Sequence, residues 1–323
     1  MGYKFLLTVF ATVFAIGGVP RAVEAVDLPC RAVKLIVPWN AGGGTDVIFR
    51  VVANTAQRHL GKDIIIQNIS GQGGNKGAKA AKASRPNGCT LFAGHDSMQT
   101  SYVQARVDFN YFAFEPIVLL THTPSLLGAH PGVPWNSAKE LIADMKKNPG
   151  KKVLFGATLG STSHFFPVLI EATTGVKFKY VGYDGTRNRM TALLGKHIQL
   201  GELNITAARK YISSGALKSL GIALPHRDSR LPKVPTLKEQ GIDVITGVNR
   251  GVFAPKGTPK KILAAFEEAF MKTMNEPLVR KDLEAKGTII QYMGQKEYIA
   301  YLKENVKAIT TAAKSVGLYM RKQ

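Results

Sequence analysis

Two glycine-rich segments carry the residue types that could do chemistry. In the first, Ala41-Gly42-Gly43-Gly44-Thr45-Asp46, three glycines let the backbone turn with its N–H groups exposed, and Thr45 or Asp46 can cap the helix that follows. In the second, Gly156 to Phe165, glycines lead into Gly160, Ser161, Thr162, Ser163 and His164 at the start of an apolar helix. A helix start offers unpaired N–H donors and a partial positive charge, so a carboxylate or phosphate can sit there without a basic side chain. An ordinary strand-to-helix turn has the same pattern, and each segment alone leaves both readings open.

What is absent narrows the anion. A P-loop needs Lys-Ser/Thr after its last glycine, whereas Gly44 is followed by Thr45 and Asp46, and the spacing of a dinucleotide fingerprint is missing as well. Ser161 and His164 suggest a nucleophile and base, but no acid is evidently placed to orient the histidine and no elbow motif surrounds the serine, so capping by the hydroxyls is the stronger reading. The seven histidines are dispersed and pair with no carboxylate or cysteine at ligand spacing, so neither a metal site nor a cofactor is expected.

Each glycine segment follows an apolar run. Leu35, Ile36 and Val37, closed by Pro38, read as a buried parallel strand, and Val47, Ile48, Val51 and Val52 fall on one face of the helix beyond. Lys152 to Phe155 precedes the second segment, and strand, glycine turn and helix recur at Asp63–Gln67, Gly71–Gly77 and Ala78–Ser84. Open α/β sheets place ligands at the carboxyl ends of strands, where Trp39, Ser97 and Tyr183 fall. Tyr183 reads equally as a ligand wall or a packed tyrosine, and Arg250, within Val244–Ala254, as an anion clamp or a surface charge. Residues 115–130 are apolar runs broken by Thr121-His-Thr-Pro124, too punctuated for a helix, and read as a crossing into a second domain.

A chain of 323 residues can hold two modest α/β domains. Its 43 Lys and Arg against 22 Asp and Glu give a formal charge of +21, which attracts anions. The lysines form no basic block and no aromatics interleave with them, which argues against nucleic acid. Residues 1–25 read as a signal peptide: Lys4, an apolar core from Phe5 to Ile16, and a Val23-Glu24-Ala25 cleavage site. No other stretch approaches the ~20 apolar residues of a membrane span. The only cysteines are Cys30 and Cys89, one before the strand Val33–Val37 and the other opening Cys89–Ala93. If those strands are neighbours the sulfurs share a sheet edge and a disulfide suits an exported protein; two free thiols are the alternative.

The ordered set Val33–Pro38, Ala41–Asp46, Gly73–Gly77, Gly156–His164, Tyr183–Gly185, Leu194-Gly195 and Phe253–Pro259 resembles the Bug-type substrate-binding proteins of tripartite tricarboxylate transporters. The resemblance implies a periplasmic α/β protein of the type II binding-protein kind, a monomer without catalytic activity, with two lobes joined by hinge strands and a small organic acid held between the two glycine loops. It implies two membrane subunits as partners. Residues 26–123 and 225–323 would form one lobe and 124–224 the other, with crossings near Thr121 and Leu224. Four positions depart from the usual pattern: Asn40 for a proline, Asn68-Ile-Ser70 for Asn-Arg-Pro, Asp184 for a basic residue, and Arg250 for an aromatic wall. A sensor would use the same site, and a Ser161/His164 hydrolase is the catalytic alternative.

Overall fold

The computed structural model describes residues 27–321, so the signal peptide read over 1–25 lies outside the described residues. The chain runs β1 (Ala32–Val37), α1 (Gly44–Leu60), β2 (Asp63–Asn68), α2 (Asn75–Lys82), β3 (Thr90–His95), α3 (Ser97–Val103) and β4 (Phe114–Ala129). It continues through α4 (Ala138–Lys147), β5 (Leu154–Ala157), α5 (Thr162–Thr174), β6 (Lys179–Gly182), α6 (Gly185–Leu194), β7 (Leu200–Asn204), α7 (Ile205–Ser213) and β8 (Lys218–Ile222). It closes with β9 (Gly247–Pro255), α8 (Lys260–Asn275), α9 (Pro277–Ala285), β10 (Ile289–Met293) and α10 (Gln295–Ser315).

Two sheets repeat one pattern. In the first, β1 lies parallel between β2 and β3, and β9 pairs antiparallel with β3. In the second, β5 lies parallel between β6 and β7, and β4 pairs antiparallel with β7. The apolar strands are buried on both faces, as parallel strands covered by helices must be: Leu35, Val37, Leu91 and Phe155 are fully enclosed. Separate cores follow, one around Leu35, Phe49, Phe266 and Phe270, the other around Leu127, Phe155, Phe166 and Ile170.

The punctuated stretch 115–130 is one 16-residue strand, β4, that serves both sheets. Residues 114–124 pair with β9, and residues 125–129 with β7 and β8. The return crossing lies later than Leu224. Leu231 and Val234, then Leu237, Ile242 and Val244, pack into second-lobe cores, which moves residues 225–246 out of the first lobe. We therefore place the crossing at Thr246-Gly247, where Ser125 N–H donates to Thr246 O (3.1 Å) and Thr246 N–H to Ala223 O (3.2 Å). A Cβ on Gly247 would stand 2.4 Å from Thr123 O, so the two crossing strands approach this closely only with glycine there.

Val176 and Phe178 are buried like strand residues, but pairing of β6 with β5 begins at Lys179. Ser137 caps α4: its side chain accepts from Glu140 N–H (3.1 Å), while Glu140 reaches back to Asn136 N–H (2.8 Å).

Because β1 and β3 are parallel neighbours, Cys30 and Cys89 meet at one sheet edge with Cα atoms 5.9 Å apart, joined as a disulfide. Cleaving it should destabilise the fold by roughly 2–5 kcal/mol. Thermal unfolding with and without reductant, and of Cys89→Ala, should show the loss; an unchanged melting temperature would contradict it.

Candidate ligand site between the lobes

The first-lobe wall is the start of α1. Gly42 takes a left-handed conformation (φ 79°) and Gly43 N–H turns back onto Asn40 O (3.2 Å). Asp46 is not among the residues that line the cleft. Its carboxylate accepts from Gly42 N–H, Arg50 Nε and Asn68 Nδ2, each at 2.9 Å, and so staples the loop. Burial pushes its pKa up, yet these hydrogen bonds and the Arg50 charge together hold it below the usual value. The loop thus spends the Gly42 and Gly43 donors internally. The first-turn N–H groups of Gly44 and Thr45, two residues that line the cleft, have no intrahelical acceptor.

The second glycine segment acts more as a brace than as a cradle. Ser161 Oγ caps Ser163 N–H (3.2 Å) and donates to Thr158 O (2.8 Å), and Ser163 Oγ accepts from Thr158 N–H (2.9 Å). Thr162 N–H reaches Ser97 Oγ of the other lobe at 3.3 Å. Gly160 stays out of the cleft; its carbonyl accepts from Thr100 Oγ1 (2.8 Å) and Ser101 Oγ (3.3 Å), a contact between lobes. The start of α6 also borders the cleft. Gly185 is left-handed (φ 84°) and gives its N–H to Thr158 Oγ1 (3.0 Å), while Thr186, next in the first turn, lines the cleft.

Other predicted residues fall on either side. Trp39, Gly43, Thr45, Ser97 and Arg250 line the cleft, as do Ser161, Thr162 and Ser163. Ala41 is exposed, its carbonyl accepting from Arg187 Nη1 (2.9 Å). Tyr183 packs over Gly156 in the second lobe, a ring carbon 3.3 Å from where a Cβ would stand. His164 lies outside the cleft, edge-on to Tyr180 (4.8 Å), and burial with the nearby Arg106 charge pushes its pKa down to about 4. Ser161 Oγ is bonded to Thr158 O and Ser163 Oγ, so no serine–histidine contact of a hydrolase is formed.

The cleft also holds His95, at the carboxyl end of β3 just before Ser97, and Thr158, Arg189, Glu202 and Asn204. Arg189 and Glu202 form a buried ion pair (Nη2 to Oε2, 2.5 Å), with Arg189 also donating to Glu202 O (2.8 Å) and Thr158 Oγ1 (2.8 Å). Burial pushes each group toward neutrality and the partner's charge pulls it back. His95 stacks on Trp39 (4.9 Å, 11°), its Nδ1 accepts from Ser97 N–H (3.1 Å), and burial beside Arg250 keeps it neutral. Arg250 is 1% exposed, so the surface-charge reading does not hold. Three arginines, Arg187, Arg189 and Arg250, line the cleft against one acid, Glu202.

The lobes touch around this cleft. Beyond the Gly160 and Thr162 contacts, Asp184 Oδ1 accepts from Gly73 N–H (3.1 Å) and Asp184 O from Asn40 Nδ2 (3.5 Å). Among the described residues, no group of three or more His, Cys, Asp or Glu could hold a metal.

Two α/β lobes, strands crossing between them and a cationic cleft at the carboxyl ends of both sheets define a type II periplasmic binding protein. The match to the family described as "Tripartite tricarboxylate transporter family receptor" extends over residues 48–318, and the chain belongs to that family. It is 30% identical to the protein BugT of Bordetella pertussis, over 89% of this chain and 90% of that one. The structure of the periplasmic binding protein BugD superposes with a TM-score of 0.85 at 28% identity, covering 91% of this chain and 100% of that one. MatC from Rhodopseudomonas palustris, solved with bound malate, gives 0.82 at 26% identity over 88% and 99%.

The geometry ranks the glycines of the first loop. A Cβ on Gly43 would meet only Asn40 O at 3.3 Å, whereas one on Gly44 would stand 2.7 Å from Asn204 Oδ1 of the opposite lobe. Gly44→Val should therefore prop the cleft open, raising the radius of gyration in small-angle scattering, while Gly43→Ala changes little. Equal radii for Gly44→Val and wild type would count against this.

Proposed function

We propose that the protein is a periplasmic receptor that captures a small organic acid between its lobes and hands it to the membrane subunits of a tripartite transporter. The observation that carries this reading is the convergence of two helix starts, α1 from one lobe and α6 from the other, on a cleft with more cations than anions. Such donors recognise a carboxylate through backbone N–H groups and leave the rest of the solute to the shape of the walls. The malate in MatC is an acid of this kind. Export through the N-terminal leader and action as a monomer belong to the same proposal. Among the described residues, no helix is long and apolar enough to cross a membrane.

Closure follows from where the donors lie. Each lobe alone offers a few hydrogen bonds worth on the order of 1 kcal/mol apiece, somewhat more to a charged acceptor. Only the closed form combines both sets, and that difference in affinity favours closure.

The function is binding without turnover, so a captured acid should be recovered unchanged. Native mass spectrometry of protein purified without added ligand should show a small acid released on denaturation. Organic acids should raise the melting temperature, by about 2.7 kcal/mol of stability at a hundredfold excess over Kd, and their amides should not. Equal stabilisation by acid and amide would contradict an anion site, and a new product would contradict a receptor.

A further inference from the structure

Arg250 sits on β9, in register with His95 on one side and Thr121 on the other, and its side chain runs into the cleft. It is a cation with 1% of its surface exposed. Nε donates to Thr45 Oγ1 (3.0 Å), and Nη1 to Thr123 Oγ1 (2.7 Å) and Val248 O (3.4 Å), all neutral acceptors. Among the described residues, Nη2 has no hydrogen-bond partner and no carboxylate lies within ion-pair distance.

The two acids that attract it at longer range are committed elsewhere. Glu202 holds Arg189 and Ser125, and Asp96 accepts from Asn249 N–H (2.9 Å), Asn249 Nδ2 (2.8 Å) and Tyr111 Oη (3.2 Å). A buried charge without a partner is costly, and a planar guanidinium with one free edge is shaped to take a carboxylate oxygen. The bond to Thr45 fixes that edge beside the first turn of α1. One carboxylate can then accept from the guanidinium and from the helix start together.

We propose that Arg250 is a direct charged contact for a carboxylate of the solute, completing a cradle with the first turn of α1. The inference rests on the reading of the cleft as an organic-acid site. It adds a specificity determinant: with no carboxylate in ion-pair distance, the Arg250 charge favours an ionised oxygen over a neutral carbonyl at Nη2, so Arg250 sets the preference for acid over amide and not merely the affinity.

Calorimetric titration of wild type, Arg250→Gln and Arg250→Lys with malate, succinate and adipate, and with their amides, tests this. Wild type should prefer the acid. Arg250→Gln should lose roughly 10- to 100-fold in acid affinity with little change for the amide, collapsing the ratio. Arg250→Lys should keep the preference at reduced affinity, since an ammonium retains charge without the fork. A merely structural role would weaken acid and amide alike, and that result, or an undiminished preference in Arg250→Gln, overturns the inference while leaving the receptor reading standing. Wild type that binds none of the acids overturns both. Should Arg250→Gln fail to fold by circular dichroism, Arg250→Lys decides, and an undiminished acid affinity in it overturns the inference.

Discussion

Everything in this molecule depends on one strand serving two sheets. β4 pairs with β9 up to Pro124 and with β7 and β8 from Ser125 onward, so the lobes share a continuous hydrogen-bonded spine. The only other crossing described is at Thr246-Gly247, tied to the first through Ser125 and Ala223. Two adjacent extended crossings are the arrangement that a hinge between lobes requires. They also fix which faces meet: the carboxyl ends of β1 and β3 against those of β5, β6 and β7.

That geometry creates an electrostatic problem which the cleft then uses. Helix starts leave N–H groups unpaired, and closing two lobes over them removes water that would otherwise satisfy them. The second lobe solves much of this internally, through the hydroxyls of Thr158, Ser161 and Ser163 and the Arg189–Glu202 pair. The first lobe does not. Gly44 and Thr45 face the cleft with Arg250 beside them, and among the described residues no carboxylate lies within ion-pair distance of Arg250. On the proposed function, an incoming carboxylate would satisfy donors and charge together, so that binding and closure would be one event.

Much of this was legible in the sequence, and the failures have physical causes. β1 and α1 announce themselves because an uninterrupted apolar strand, a glycine turn and an apolar helical face are all local signals. The disulfide was legible because both cysteines flank strands of one motif. β4 was hidden because Thr121 and Thr123 are polar residues in a buried strand, and Thr123 is there to hold Thr288 and Arg250, both far along the chain. The bond that ties Asp46 to Asn68 was not legible, because Asn68 sits on a different strand. Residues 225–246 form no regular strand or long helix, so nothing local assigns them to a lobe. Glu202 and Arg189 could have drawn notice as charges within apolar elements, but only the fold brings them together.

The most direct test of the account is a crystal structure of the protein with the acid it retains or a bound C4 to C6 dicarboxylate. The account predicts one carboxylate within hydrogen-bonding distance of the Gly44 and Thr45 N–H groups, with the solute also touching the start of α6 in the second lobe. A solute held by one lobe alone, or seated with its carboxylate away from α1, would contradict it.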